Sequence, residues 1–89
     1  MPETAARQVI VRVLAFARLR ELLGFGERHL DVPVGTTADA VWSRLAGDVP
    51  QLAALRASTR FARNGVLADG GALLHDGDEL ALLPPVGGG

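Results

Sequence analysis

Residues 8–16 (QVIVRVLAF) are β-branched and apolar apart from Gln8 and Arg12, a run that reads as a strand. Side chains alternate across a strand, so Val9, Val11, Val13 and Ala15 share one face and Ile10, Arg12, Leu14 and Phe16 the other. The first face is wholly apolar and demands a covering layer. The second carries an arginine and is the wetter one, yet it also holds three large apolar groups. Either something covers part of that face or it meets a partner. The rest of the chain must therefore supply at least one amphipathic element to close a core.

With 89 residues the chain makes one small domain, near the lower range in which a single core suffices. Its aromatics are only Phe16, Phe25, Trp42 and Phe61, so packing must rest on leucine, valine and alanine. Residues 17–23 (ARLRELL) read as a short helix with Gly24 as its C-cap glycine. Residues 27–34 alternate, with His29, Asp31 and Pro33 against Leu30, Val32 and Val34. That is a half-buried strand able to pair with the first, and Pro33 places it at an edge or near its end. Thr36 is expected as the N-cap of the next helix, with Asp39 three residues on. Ala38, Val41, Trp42 and Leu45 then fall at helical spacing, an apolar stripe that should pack on the sheet, and Gly47 should end it. Residues 49–57, containing Leu52 and Leu55, suggest a helical turn after Pro50.

Asn64-Gly65 within residues 59–68 is a hairpin signal, because a type I′ turn needs positive φ at both central positions. Further turns are expected at Asp69-Gly70-Gly71 and Asp76-Gly77-Asp78. Residues 79–83 (ELALL) form a last strand, one alternate face of which should be exposed. The order β, short α, β, α, β-hairpin, β is an α+β pattern: a mixed sheet of four to five strands with one principal helix across one face. That arrangement is a β-grasp, or ubiquitin-like, roll. We place the domain at residues 9–83, after a polar extension (1–8) and before a tail (84–89).

The tail, Pro84-Pro85-Val86-Gly87-Gly88-Gly89, adds nothing to a core. Two prolines stiffen an extended exit, and three glycines leave a backbone without Cβ atoms. Fully extended it reaches about 20 Å, enough to thread a terminal carboxylate into another protein's narrow site. A frayed terminus is the bland alternative.

Composition removes several chemistries. There is no cysteine, hence no disulfide, thiolate metal site or thiol nucleophile. All nine basic residues are arginine, so Walker-type phosphate loops and Schiff-base chemistry are out. A net charge of −1 gives no field favouring nucleic acid or an anionic membrane. No apolar run reaches membrane-span length and residues 1–8 lack a signal-peptide layout, so the expected location is cytoplasmic. Gly24-Phe25-Gly26 follows a helix and precedes a strand, the reverse of a dinucleotide fingerprint, and reads as a loop. His29 and His75 stand in no motif. Asp76, Asp78 and Glu79 lack the remaining ligand spacing of a calcium loop and read as a solvated turn. No metal or cofactor is expected to be bound permanently, and the chain has no evident catalytic apparatus of its own.

Two segments carry a resemblance. Residues 14–24 (LAFARLRELLG) lead a strand into a Phe-Ala-x-Leu-Arg-Glu helix, and residues 76–89 (DGDELALLPPVGGG) give Gly-Asp-Glu, an apolar strand and Pro-Pro-Val-x-Gly-Gly. The chain thereby resembles the MoaD-type branch of the MoaD/ThiS β-grasp carriers, the small sulfur-carrying subunits of molybdopterin synthase. It departs in having leucines at Leu82 and Leu83, where that family often has aromatics. The resemblance implies that a ubiquitin-activating-type adenylyltransferase uses Mg-ATP to adenylylate Gly89. A sulfur donor enzyme then makes the thiocarboxylate, and the large catalytic subunit receives the tail, with cyclic pyranopterin monophosphate as sulfur acceptor. It further implies a hetero-oligomer, tail access through Gly87 and Gly88, and partner contacts at Leu83, Pro84, Pro85, Val86, Phe16 and Arg20. Without a thiol for a persulfide, the C-terminus is the one place such sulfur could ride. Carriers for thiamine, tRNA thiolation or cysteine synthesis remain open, as do a ubiquitin-like protein modifier and a plain interaction module.

Overall fold

The computed structural model describes residues 7–85; expectations about residues 1–6 and about Val86, Gly87, Gly88 and Gly89 lie outside the described residues. The β-branched run forms β1 (Gln8–Ala15), with Val11, Val13 and Ala15 buried and Ile10 exposed on the opposite face. Phe16 caps α1 (Ala17–Leu23), which Gly24 terminates in the left-handed region at φ 84° while donating its N–H to the Arg20 carbonyl. β2 (Glu27–Pro33) returns antiparallel to β1, Leu14 opposite Glu27 and Gln8 opposite Pro33. It is an edge strand, so Pro33 costs no ladder hydrogen bond.

The next helix starts one residue later than Thr36 suggests. Thr37 is the N-cap of α2 (Ala38–Asp48), its hydroxyl accepting from the Ala40 N–H at 3.2 Å. The Thr36 hydroxyl instead donates to the Pro33 carbonyl at 2.7 Å and closes the preceding turn. Either threonine hydroxyl can cap a helix, but only Thr36 has an acidic residue three positions on; the turn claims Thr36 and leaves the cap to Thr37. Gly47 lies inside the helix, which stops at Val49 before Pro50. A 3₁₀ helix (Pro50–Ser58) follows, longer than such helices usually run. β3 (Arg60–Arg63) and β4 (Val66–Ala68) make the hairpin, with Asn64 at φ 52° and Gly65 at φ 84°. β5 (Glu79–Leu83) completes a five-stranded sheet in the order β2-β1-β5-β3-β4. β5 runs parallel to β1 and antiparallel to β3, so the last strand is the central one.

The helices cover one side of the sheet. Ala38, Val41, Trp42 and Leu45 of α2, Leu19 of α1 and Leu52 of the 3₁₀ helix meet Val11, Val13, Leu30, Val32, Phe61, Leu80 and Leu82 in one core. The Trp42 and Phe61 rings lie 6.2 Å apart and tilted, a favoured aromatic geometry. The uncovered side brings a correction. One alternate face of residues 79–83 is expected to be exposed, yet Ala81, on the face away from the helices, is only 7% exposed. Its cross-strand neighbours, Leu14 and Ala62, flank a side chain that ends at Cβ and shield it.

Candidate functional site: the tail exit and the open sheet face

Because β5 is central and parallel to β1, both strands end at the same rim of the sheet. Leu83, Pro84 and Pro85 therefore emerge where Phe16 turns the chain into α1. Leu83 is half-buried opposite Arg60, and Phe16 is 44% exposed. Pro84 and Pro85 line two hollows. One, about 200 Å³, is bounded by α1 (Ala17, Arg18, Leu19) and by Leu55, Ser58 and Thr59. The other, about 570 Å³, opens toward Ala57, Ser58, Arg60 and Leu83. Ala17 takes φ 50° here, a conformation that a Cβ-bearing residue adopts at a cost of about 1–3 kcal/mol. The prolines thus leave the sheet against a walled corner.

Next to this exit lies the uncovered face. Pairing registers place Glu27, Leu14, Ala81, Ala62 and Leu67 in one row across all five strands. Ile10 is 48% and Leu67 61% exposed on that side. The result is an apolar strip running from the middle of the sheet to its β4 edge, with Leu83 and Phe16 at the exit end. Arg12 stands beside the strip, hydrogen-bonded to Glu79 and 3.5 Å from Glu27. The Glu79 hydrogen bond and the Glu27 charge raise the Arg12 pKa further above its ordinary value.

Asp76 and Asp78, at the far end of β5, act as backbone clamps. Asp76 accepts from the Ile10 N–H at 2.8 Å. Asp78 accepts from the Asn64 side-chain amide at 3.0 Å and the His75 N–H at 2.8 Å, while the Asn64 carbonyl takes the Glu79 N–H. Burial works to raise the Asp78 carboxyl, but the hydrogen bonds from Asn64 and His75 prevail and hold it below the usual value. These contacts fix the hairpin to the start of β5 at the end opposite the exit. His29 and His75 are both exposed.

Of the residues expected to meet partners, Leu83, Pro84, Pro85 and Phe16 gather at one corner. Arg20 does not line either exit hollow. It borders a separate depression with Glu21, Gly24, Phe25 and Gly26, and it packs so closely that a Cβ on Gly26 would stand 3.3 Å from its Nε. Glu21 pairs with Arg18 at 3.6 Å on the exposed side of the helix. Val86 and the three glycines lie outside the described residues. Leu67 was missed in the sequence, where it passes for an ordinary strand residue. Its signal was parity, since a two-residue turn at Asn64-Gly65 sets it opposite Ala62 on the face of Ala81.

Comparison with known proteins agrees with this architecture. Over residues 13–89 the chain matches a family described as the ThiS family. It is 36% identical to a molybdopterin synthase sulfur carrier subunit from Arabidopsis thaliana, covering 91% of this chain and 84% of that protein. A Haemophilus influenzae protein of the same name is 38% identical, over 90% of this chain and all of that protein. The crystal structure of SAMP1 from Haloferax volcanii superposes with a TM-score of 0.77 at 32% identity, covering 90% of this chain and 99% of that one. The overall fold is shared with SAMP1, the similarity to the carrier subunits runs along nearly the whole chain, and this chain belongs to the ThiS family.

Proposed function

We propose that this chain is a sulfur carrier for molybdopterin synthesis, with Gly89 as the point of attachment. The observation that carries the reading is the exit: the central strand hands Pro84 and Pro85 to a walled corner beside an apolar strip. A partner docked on that strip would receive whatever follows Pro85. The names of the curated relatives support the pathway, and the absence of cysteine favours the terminal carboxylate over a persulfide as the sulfur site.

In this reading the Gly89 carboxylate attacks the α-phosphorus of ATP within a Mg-dependent adenylyltransferase, releasing pyrophosphate. A sulfide equivalent from a sulfur donor enzyme then displaces AMP and leaves a thiocarboxylate. The large catalytic subunit of a hetero-oligomeric synthase takes the tail and passes the sulfur to cyclic pyranopterin monophosphate in the cytoplasm. Gly87 and Gly88 keep the last stretch as narrow as backbone, so a site that encloses the acyl group and excludes water can admit it. This chain's own contribution is presentation, not bond-making.

The likeness to SAMP1 supports a second reading, a modifier whose terminal carboxylate forms isopeptide bonds with other proteins. Mass spectrometry separates the two. Incubated with its adenylyltransferase, Mg-ATP and a sulfur donor, the chain should gain the mass difference between sulfur and oxygen. The Gly89→Ala variant should keep its melting temperature and lose transfer to the pterin. Accumulation of protein conjugates with no pterin conversion would favour the modifier. Unimpaired pterin conversion after removal of Gly88 and Gly89 would overturn the carrier reading.

A further inference from the structure

One wall of the hollow lined by Pro84 and Pro85 belongs to the end of the 3₁₀ helix, and one side chain ties that end to other elements. Arg56 donates from Nε to Asp39 Oδ1 at 2.8 Å and from Nη1 to the Thr59 carbonyl at 3.1 Å, and its guanidinium lies 4.4 Å from the centre of the Phe61 ring. One arginine thereby joins the first turn of α2, the end of the 3₁₀ helix and the start of β3. Asp39 is itself held over Gly70, whose carbonyl accepts the Asp39 N–H at 2.9 Å. A Cβ on Gly70 would overlap the Asp39 carboxylate, so glycine there lets the acid reach Arg56. On the same turn the hydroxyls of Ser58 and Thr59 both donate to the Leu55 carbonyl. Leu55, Ser58 and Thr59, so fixed, form one side of the 200 Å³ hollow. Ala17, in its left-handed conformation, stands on the other.

We propose that Arg56 is a positioning residue for the tail: it holds the 3₁₀ wall of the hollow that Pro84 and Pro85 also line, and so sets the direction in which residues 86–89 leave the domain. The functional consequence rests on the carrier reading above; the geometric part does not. Four residues beyond Pro85 reach at most about 14 Å. The carboxyl can therefore arrive in a partner's site only if the starting direction is right. Glycine adds no conformational restriction of its own, so aim must come from the two prolines and the hollow they line. Docking on the sheet face fixes affinity, whereas aim fixes how often a docked carrier is productive. Misplacing a reacting group by about 1 Å from a distance can cost roughly a hundredfold in rate.

The test compares Arg56→Ala, Arg56→Lys and Asp39→Asn with Arg44→Ala, a control that removes a different tie, the Arg44 hydrogen bond to the Asp31 carbonyl. Pyrophosphate release by the adenylyltransferase is measured against carrier concentration. Arg56→Ala should lower kcat about tenfold or more with KM within about twofold, Asp39→Asn and Arg56→Lys should fall between it and wild type, and Arg44→Ala should leave kcat unchanged. The amide chemical shifts of Leu55, Ser58 and Thr59 and the ring shifts of Pro84 and Pro85, which line one hollow, should move in Arg56→Ala and stay in place in Arg44→Ala. Unmoved shifts and retained kcat in a folded Arg56→Ala, or an equal kcat loss in Arg44→Ala at matched stability, would overturn the proposal. If wild type is never adenylylated, the carrier reading falls, and the shift comparison still tests the seat. Should Arg56→Ala fail to fold, Asp39→Asn and Arg56→Lys carry both measurements.

Discussion

Asp78 shows how a single carboxylate holds two distant parts of the chain. It accepts from Asn64 in the hairpin and from the His75 backbone in the turn before β5, and its pKa sits below the ordinary carboxylate value. A depressed carboxylate contributes stability above its unfolded pKa of about 3.9 and loses it as pH falls through the folded value. The Asp78→Ala variant should thus be less stable than wild type at pH 7 by about 1.5–3 kcal/mol, the range for hydrogen bonds to charged groups. The gap should shrink below pH 4, as thermal unfolding across pH 2–7 would record. A constant gap would mean that the hydrogen bonds matter and the charge does not. The sequence marked Asp78 only as part of a turn. Its partner Asn64 lies 14 residues away, a pairing that only closure of the hairpin against β5 creates. Arg56 and Asp39, 17 residues apart, were invisible for the same reason.

Elements were more legible than contacts. The bounds of α1, β5 and the hairpin turn could be read directly, because each is bracketed by a local signal: Gly24, the Asp-Gly-Asp turn, and Asn64-Gly65. At Thr36 and Thr37 the local signal pointed to the wrong residue, because the acidic Asp39 favours Thr36 while the turn after Pro33 takes its hydroxyl. Burial on the open face was harder still, since the shielding of Ala81 depends on which strands flank it. Leu67 belongs to this scale. It sits on the three-residue edge strand β4, 61% exposed, beyond a row of small and apolar neighbours. Little covers it, so Leu67→Ser should change the melting temperature by at most a few degrees. If the strip docks a partner, the same change should raise KM for adenylylation and leave kcat nearly intact, the reverse of the Arg56→Ala pattern. Steady-state kinetics on the two variants side by side would reveal any failure of that division.

For the molecule as a whole, the sheet order has the strongest consequences. The first strand pairs with the second and with the last, and the last also pairs with the third. Leu80 and Leu82 on β5 are fully buried in the core. A chain ending at Asp78 lacks both residues and leaves β1 and β3 unpaired on their inner edges. It should show no cooperative thermal transition by circular dichroism; a cooperative transition near wild type would mean that the remaining strands close on each other. Protein synthesis runs from β1 to β5, so the five-stranded sheet forms only after its central strand has been made. Folding of the first four strands into the sheet thereby waits on the fifth. A product broken before β5 has neither the Leu14-Ala81-Ala62-Leu67 row nor the Pro84-Pro85 exit beside it, so a partner that reads the folded surface would pass it over.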